Sequence, residues 1–237
     1  MQASPNTEGA YYSHLLYRGP EGQMISLHYC PTMETAEKVA KYFLDEKVLG
    51  FDIEWRPWGS GRSIKDNVSL IQLACEDRIA LFHISQFKGN SIEQLLPPTL
   101  KTILESPNIL KVGVNIKGDF GRLQTYLGVH ARGKYELSRL YNLVKFSATD
   151  PSKVNNKMVS LARQVEEHLQ LPLLKDSDVR EGDWRLGLNK KQMRYAATDA
   201  YAGLRIFDVL EEKRKKLKPI PPLPMPTDFD PPPRLRE

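Results

Sequence analysis

Cysteine is scarce in this chain: two in 237 residues, Cys30 and Cys75, without C-x-x-C spacing. That excludes a disulfide framework and a zinc ribbon, and it points to a reducing, intracellular compartment. Long apolar runs are missing as well. Nothing approaches the roughly 18 consecutive apolar residues of a membrane span. The opening MQASPNTEGA has no apolar stretch of the signal-peptide kind, so no membrane partner is expected. The five histidines form no cluster, and no segment repeats. Charge of one sign is in short supply too. With 34 Lys and Arg against 29 Asp and Glu, the net charge of +5 permits a nucleic-acid partner without arguing for one.

What is present is the composition of a globular protein, 41% hydrophobic and 27% charged, with length enough for one large domain or two small ones. Charge and proline are unevenly placed. Lys213, Arg214, Lys215, Lys216, Lys218, Arg234 and Arg236 stand against Asp228, Asp230 and Glu237, so residues 213–237 supply +4 of the +5. Eight of the 17 prolines lie between Pro219 and Pro233. Proline donates no backbone hydrogen bond, so this stretch makes neither helix nor ladder. The reading is a disordered leader over 1–10, a domain over 11–217 and a Pro-rich tail or linker over 218–237. KRKKLK at the end of the last helix reads as a solvated helix end, a nuclear-localisation patch or a phosphate contact.

Hydrophobic patterning predicts strands at Ile25–Cys30, Val48–Trp55, Val68–Ala74, Ile79–Ile84 and Ile109–Val114, with an antiparallel hairpin across Cys75–Arg78. Helices are expected after Thr32, from Pro98, over Gly118–Leu127, and in the second half at about 136–146, 157–169 and 189–217. Strands come first and helices later, which implies a mixed α/β sheet with helices packed around it. The second half contains no comparable strand.

Three acidic features stand out. Asp52 and Glu54 are two apart in a strand, so they share one face, while Phe51, Ile53 and Trp55 share the other. Two carboxylates on one face of an apolar strand are expensive unless something cationic meets them. Chance alone gives about three or four acidic-x-acidic pairs in such a chain; there are four, and only this one sits in strand-like sequence. Asp119 follows VGVNIKG where a strand hands over to a helix, a place where an Asp can simply complement the helix dipole. Tyr195 and Asp199 are four apart in RYAATDAYAGL and share a helix face, within alanines that allow close packing.

D-x-E on a strand, D at a strand–helix junction, then Y-x-x-x-D on a late helix resembles the three motifs of the DEDD (DnaQ-like) 3′–5′ exonucleases, Tyr subgroup. GFDIEW, SLIQL with LFHIS, KVGVNIKGD, LLKDSDVREGDW and YAATDAYAG are similar to the Werner-type exonuclease domain and, more distantly, to RNase D. The resemblance runs from about Val48 to Glu211. It departs at Gly121, where the Werner-type domain has a bulky aromatic, and at Glu136–Leu140 (ELSRL), which lacks a usual Asp.

The resemblance implies an RNase H-like mixed sheet of about five or six strands. It implies two divalent metal ions, Mg²⁺ or Mn²⁺, held by Asp52, Glu54, Asp119 and Asp199, with Tyr195 orienting the attacking water. The ligand chemistry agrees: four converging carboxylates repel one another, and hard oxygens select Mg²⁺ or Mn²⁺ over zinc. The expected activity is removal of nucleoside 5′-monophosphates from the 3′ end of DNA. An RNase D-like exoribonuclease and an inactive nucleic-acid-binding scaffold are the alternatives. Candidate substrate contacts are Ile53, Trp55, Lys117, Arg122, Lys175, Arg180 and Trp184, each with packing or solvated charge as its plainer explanation. The expected setting is DNA repair in the nucleus, with mitochondrion and cytoplasm as alternatives. A helicase or other domain, in the same or another chain, is the expected protein partner.

Overall fold

The computed structural model describes residues 11–57, 61, 63–174 and 176–229. The expected leader, Lys175 and the last eight residues of the Pro-rich segment lie outside the described residues.

In chain order the elements are β1 (Ser26–Cys30), α1 (Met33–Ala40), β2 (Val48–Glu54), α2 (Ile64–Asn67), β3 (Leu70–Ala74), β4 (Arg78–Phe82), α3 (Ile92–Leu95), α4 (Pro98–Glu105), β5 (Leu110–Gly113), α5 (Ile116–Leu127), β6 (Lys134–Glu136), α6 (Leu137–Phe146), α7 (Leu161–Leu169), α8 (Ser177–Arg180) and α9 (Lys190–Lys216). Local chemistry sets the helix starts. Thr32 and Thr35 form a capping box on α1, Asn189 and Gln192 form another on α9, and Pro98 occupies the first turn of α4.

The strands form one mixed sheet in the order β1-β4-β3-β2-β5-β6. β4, β3 and β2 are antiparallel to their neighbours in turn, whereas β1 runs parallel to β4, and β2, β5 and β6 run parallel to one another. One face carries Leu49, Phe51 and Ile53 of β2 into a core shared with α1, α4 and α5. The other face meets α9, whose Ala196, Ala197, Ala200 and Ala202 bring it close to the sheet. Glycine makes the closest point of that approach. A Cβ on Gly50 would stand 2.0 Å from the Ala200 carbonyl oxygen, a distance only a hydrogen at that position tolerates.

The sheet and its mixed character match the sequence expectation, with one correction. The second half does contain a strand, β6, because Lys134–Glu136 pairs parallel to β5. Three residues are too few to show alternation in sequence. The Pro-rich segment also behaves specifically. Residues 220–226 carry neither helix nor ladder, yet they lie on the domain. Leu223 packs against the α6–α7–α9 core. Asp228, its side chain 8% exposed, accepts hydrogen bonds from the Gly133 and Lys134 amides and pairs with the Lys134 ammonium at 3.4 Å.

Candidate active site

β2 lies at the centre of the sheet, and its alternation points Gly50, Asp52 and Glu54 toward α9. The close approach at Gly50 draws α9 onto that row, and Asp199, the residue before Ala200, arrives beside Asp52. One turn earlier Tyr195 joins it, its hydroxyl beside the Asp199 carboxylate.

Asp119 reaches the same place from β5, the strand beside β2. β5 ends at Gly113, Asn115 takes a left-handed conformation (φ 63°) that turns the chain, and α5 begins. Asn and Asp tolerate this region better than other residues with a side chain. Asp119 then sits buried in the first turn. Its neighbour Phe120 stacks on Phe51, the neighbour of Asp52, with ring centroids 4.3 Å apart and planes 12° from parallel. The two acids are thus held in register by the aromatic pair beneath them.

Behind Asp119 stands a fifth carboxylate. Glu136, buried at the β6–α6 junction, accepts from the Ile116 amide at 3.2 Å, the Ser138 amide at 3.1 Å and the Ser138 hydroxyl at 2.8 Å. One carboxylate therefore ties the first turns of α5 and α6 together.

The electrostatics are those of crowded anions. Burial pushes Asp52 up to about 7, and the Ile53 amide partly opposes the shift. Glu54 is raised well above the usual range by burial and by repulsion from Asp52, Asp199 and Asp119, with Arg180 opposing. Asp119 rises to about 8 through burial, then Asp52 and Glu136, with Arg122 opposing. Asp199 is also raised, by burial and Asp52. Asp52 and Asp199 keep part of their surface open to a cleft while protein surrounds them elsewhere. Tyr195 is held protonated by burial and the adjacent carboxylates. Directly across the β2–β3 ladder from Asp52 is Gln72, fully buried, and neither atom of its amide has a partner among the described residues.

These groups line a cleft of about 580 Å³. Ile53, Trp55 and Pro57 form one wall, Val114 and Asn115 another, and Arg180 with Glu181 the rim. The five motif residues therefore come together, and so do Ile53, Trp55 and Arg180 from the expected substrate contacts. The rest do not line this cleft. Lys117 is exposed on the first turn of α5. Arg122 backs the wall instead, stacking its guanidinium over Trp55 at 4.2 Å from the ring centroid and donating to the Asn67 side chain at 3.0 Å. Trp184 is fully buried at 0% exposure, donates its indole N–H to the Arg180 carbonyl at 3.1 Å and packs near Tyr195. It supports the rim from beneath. Lys175 lies outside the described residues.

Sequence reasoning missed Pro57, Val114, Asn115, Glu181 and Glu136. The Asn in VGVNIKGD, at the strand–helix break, was the available signal for Asn115. Glu181 was hidden by being one of four acidic-x-acidic pairs. Nothing local marks Glu136, whose role depends on a strand too short to read. Gly121, the departure noted above, is exposed, with no atom within 4 Å of where a Cβ would sit.

The sequence pattern of the 3′–5′ exonuclease family matches residues 27–215. The mouse (Mus musculus) bifunctional 3′–5′ exonuclease/ATP-dependent helicase WRN is 34% identical over 178 residues, covering 74% of this chain and 12% of that protein. A 3′–5′ exonuclease of Arabidopsis thaliana is 31% identical over 170 residues, covering 69% of this chain and 52% of that protein. The chain thus spans a small part of the first relative and about half of the second. Among solved structures, the Aedes aegypti Nibbler EXO domain superposes with a TM-score of 0.65 at 22% identity, over 80% of this chain and 88% of that one. Escherichia coli RNase D, an exoribonuclease involved in structured RNA processing, gives 0.62 at 20% identity, over 79% of this chain and 45% of that one. At these identities the structural likeness establishes the DnaQ-like, RNase H-like fold.

Proposed function

Because the chain belongs to the 3′–5′ exonuclease family, we propose that its cleft hydrolyses phosphodiester bonds from the 3′ end of DNA and releases nucleoside 5′-monophosphates. The observation that carries this is the convergence of Asp52, Glu54, Asp119, Asp199 and Tyr195 on one cleft.

The donor set fits divalent cations. Every candidate ligand is a hard carboxylate oxygen. Burial raises all four acids, with like-charge repulsion added at Glu54, Asp119 and Asp199, a cost that bound cations would relieve. No three His, Cys, Asp or Glu side chains among the described residues stand as a closed ligand set, so the fit rests on donor chemistry and charge. When bound by these four carboxylates, two Mg²⁺ or Mn²⁺ ions supply the charge that lets a phosphodiester enter an acidic cleft and that activates water.

The chain's own residues do the rest. Tyr195 stays protonated, so it acts through its hydrogen bond, holding the attacking water against Asp199 and the scissile phosphate. Trp55 offers an apolar wall to the terminal nucleoside, with Ile53 packed in the core beside it. The Arg122 guanidinium covers one face of Trp55 and leaves its other side to the cleft. Arg180, exposed at the rim, meets the incoming phosphate charge and offsets the repulsion felt at Glu54.

The mouse relative joins a 3′–5′ exonuclease to an ATP-dependent helicase, which supports work beside a helicase. DNA as the substrate and nuclear repair as the setting are proposed on the motif resemblance to the Werner-type domain. The RNase D likeness, a likeness of fold, makes an exoribonuclease the second reading. Matched 5′-labelled DNA and RNA oligonucleotides, single-stranded and recessed, incubated with Mg²⁺, Mn²⁺ or chelator decide between them. Metal-dependent ladders shortening from the 3′ end of DNA are expected. Shortening of RNA alone overturns the DNA assignment, and no shortening of either overturns the proposal.

A further inference from the structure

A second groove opens beside the candidate active site, on the other side of Tyr195 and Asp199. Both residues line it, and it encloses about 550 Å³. Its floor is a stripe of α9 made by Lys191, Arg194, Tyr195 and Thr198, spaced so that they share one helix face. One wall is the segment before β1, fastened down in two places. His14 is buried and bonded to the Thr198 hydroxyl at 3.1 Å, and the Tyr12 amide donates to the Pro172 carbonyl at 2.8 Å. The segment carrying Leu173 and Leu174 continues that wall, paired to it by a parallel bridge between Tyr12 and Leu173.

Two features of this groove call for an occupant. Lys191 and Arg194 are exposed and take part in no salt bridge among the described residues. Tyr11 and Leu174, large apolar side chains, stand 48% and 46% exposed at its lips. The acids present are already engaged. Asp176 caps α8 through the Asp178 and Val179 amides, and Asp199 belongs to the carboxylate cluster. A surface pairing free cations with exposed flat or branched apolar groups has the chemistry for phosphates and bases together. Its continuity with the carboxylates at Tyr195 fixes which phosphates and bases arrive there.

We propose that this groove is the track for the single strand leading to the scissile end. Lys191 and Arg194 would contact backbone phosphates, and Tyr11 would stack on a base a few nucleotides 5′ of the terminus. The proposal rests on the exonuclease reading and adds a binding surface to it. It explains how a near-neutral catalytic domain grips a polyanion: cations on one stripe of α9 act where they are needed.

The test is binding of 5′-fluorescein-labelled dT2 and dT8 by anisotropy in chelator, over a salt series, with turnover of the same oligonucleotides in Mn²⁺ measured alongside. The proteins are the full chain, Lys191→Ala/Arg194→Ala, Tyr11→Ala, and Lys38→Ala/Lys41→Ala, which removes the same charge from α1 and the residue that follows it, on the opposite side of the sheet. Losing two phosphate contacts is expected to flatten the log–log salt slope for dT8 by about 1.4. It should weaken dT8 about 10-fold and dT2 much less, while the α1 variant tracks the unmodified chain. Unchanged dT8 affinity and slope in both groove variants overturn the proposal, as does an equal loss in the α1 variant. A chain that shortens no oligonucleotide while groove variants still lose dT8 affinity brings down the exonuclease reading and leaves the groove standing. Normal shortening with groove variants that bind and turn over dT8 unchanged does the reverse.

Discussion

A methyl group at Gly50 would act as a wedge between the two halves of the carboxylate cluster. It would lie 2.0 Å from the Ala200 carbonyl oxygen, 3.0 Å from its carbon and 3.1 Å from the Leu204 Cβ, where ordinary contact begins at 3.4 Å. Two of the three obstacles are backbone, so no side-chain rotation relieves the clash. α9 must retreat from β2 by about 1 Å or more. Overpacking of this kind costs about 1–3 kcal/mol. In a chain of this size that lowers Tm by about 2–12 °C. The greater effect falls on chemistry, because Asp52 is two residues along the same row and Asp199 adjoins Ala200. A 1 Å misplacement of reacting groups costs about 100-fold in rate. Gly50→Ala should therefore melt early and lose activity far beyond its loss of stability at 25 °C. Gly121→Ala, with nothing within 4 Å of the new Cβ, serves as the matched control and should melt at or above the parent temperature. Calorimetry and initial rates on a 5′-labelled oligonucleotide read both. A Gly50→Ala protein with parental Tm and rate would refute the claim that close β2–α9 contact assembles the site.

Two further outcomes follow from the same geometry. Asp52 and Asp119 hold their protons to about 7 and about 8, whereas in the unfolded chain Asp titrates near ~3.9. Between those limits the folded state binds more protons, so the stability of chelator-treated protein should fall as pH rises from about 4 to about 8. Mn²⁺ should raise Tm more at pH 8 than at pH 5. A metal effect that is equal at both pH values would contradict the assignment. Glu136→Ala leaves the buried Ile116 and Ser138 amides without their acceptor, a cost of about 1–3 kcal/mol. It also frees the first turn of α5 that carries Asp119, so urea unfolding and turnover should both suffer. Glu136→Gln, which keeps an acceptor oxygen, should lose less on each count.

Much of this architecture was legible in the sequence because it rests on local signals. β2 alternates, the β3–β4 hairpin has apolar arms around a polar turn, and α9 begins at an Asn with a Gln three residues on. The alanines around Tyr195 and Asp199 announced a helix lying close to something. What could not be read are the long-range partners. Trp184 looks like a substrate contact in sequence and proves to be buried, because the chain around it folds under the rim. Arg122 looks like a phosphate contact and instead braces Trp55, twinned with it by tertiary packing alone. β6 and Glu136 escaped because three residues carry no period, and a glutamate that ties two helices together is defined by amides far off in sequence. The Pro-rich composition correctly excludes helix and ladder over 220–226, yet it says nothing of where Asp228 docks.

The most direct test of the central claim is the loss of nuclease activity on removing one carboxylate from each half of the cluster. Asp52→Ala and Asp199→Ala, each confirmed folded by circular dichroism, are to be assayed with Mn²⁺ on a 5′-labelled DNA oligonucleotide beside the unmodified chain. The expected result is 3′-end shortening by the unmodified chain and a fall of about 100–1,000-fold in each variant. Shortening by either variant at the parental rate would contradict the account.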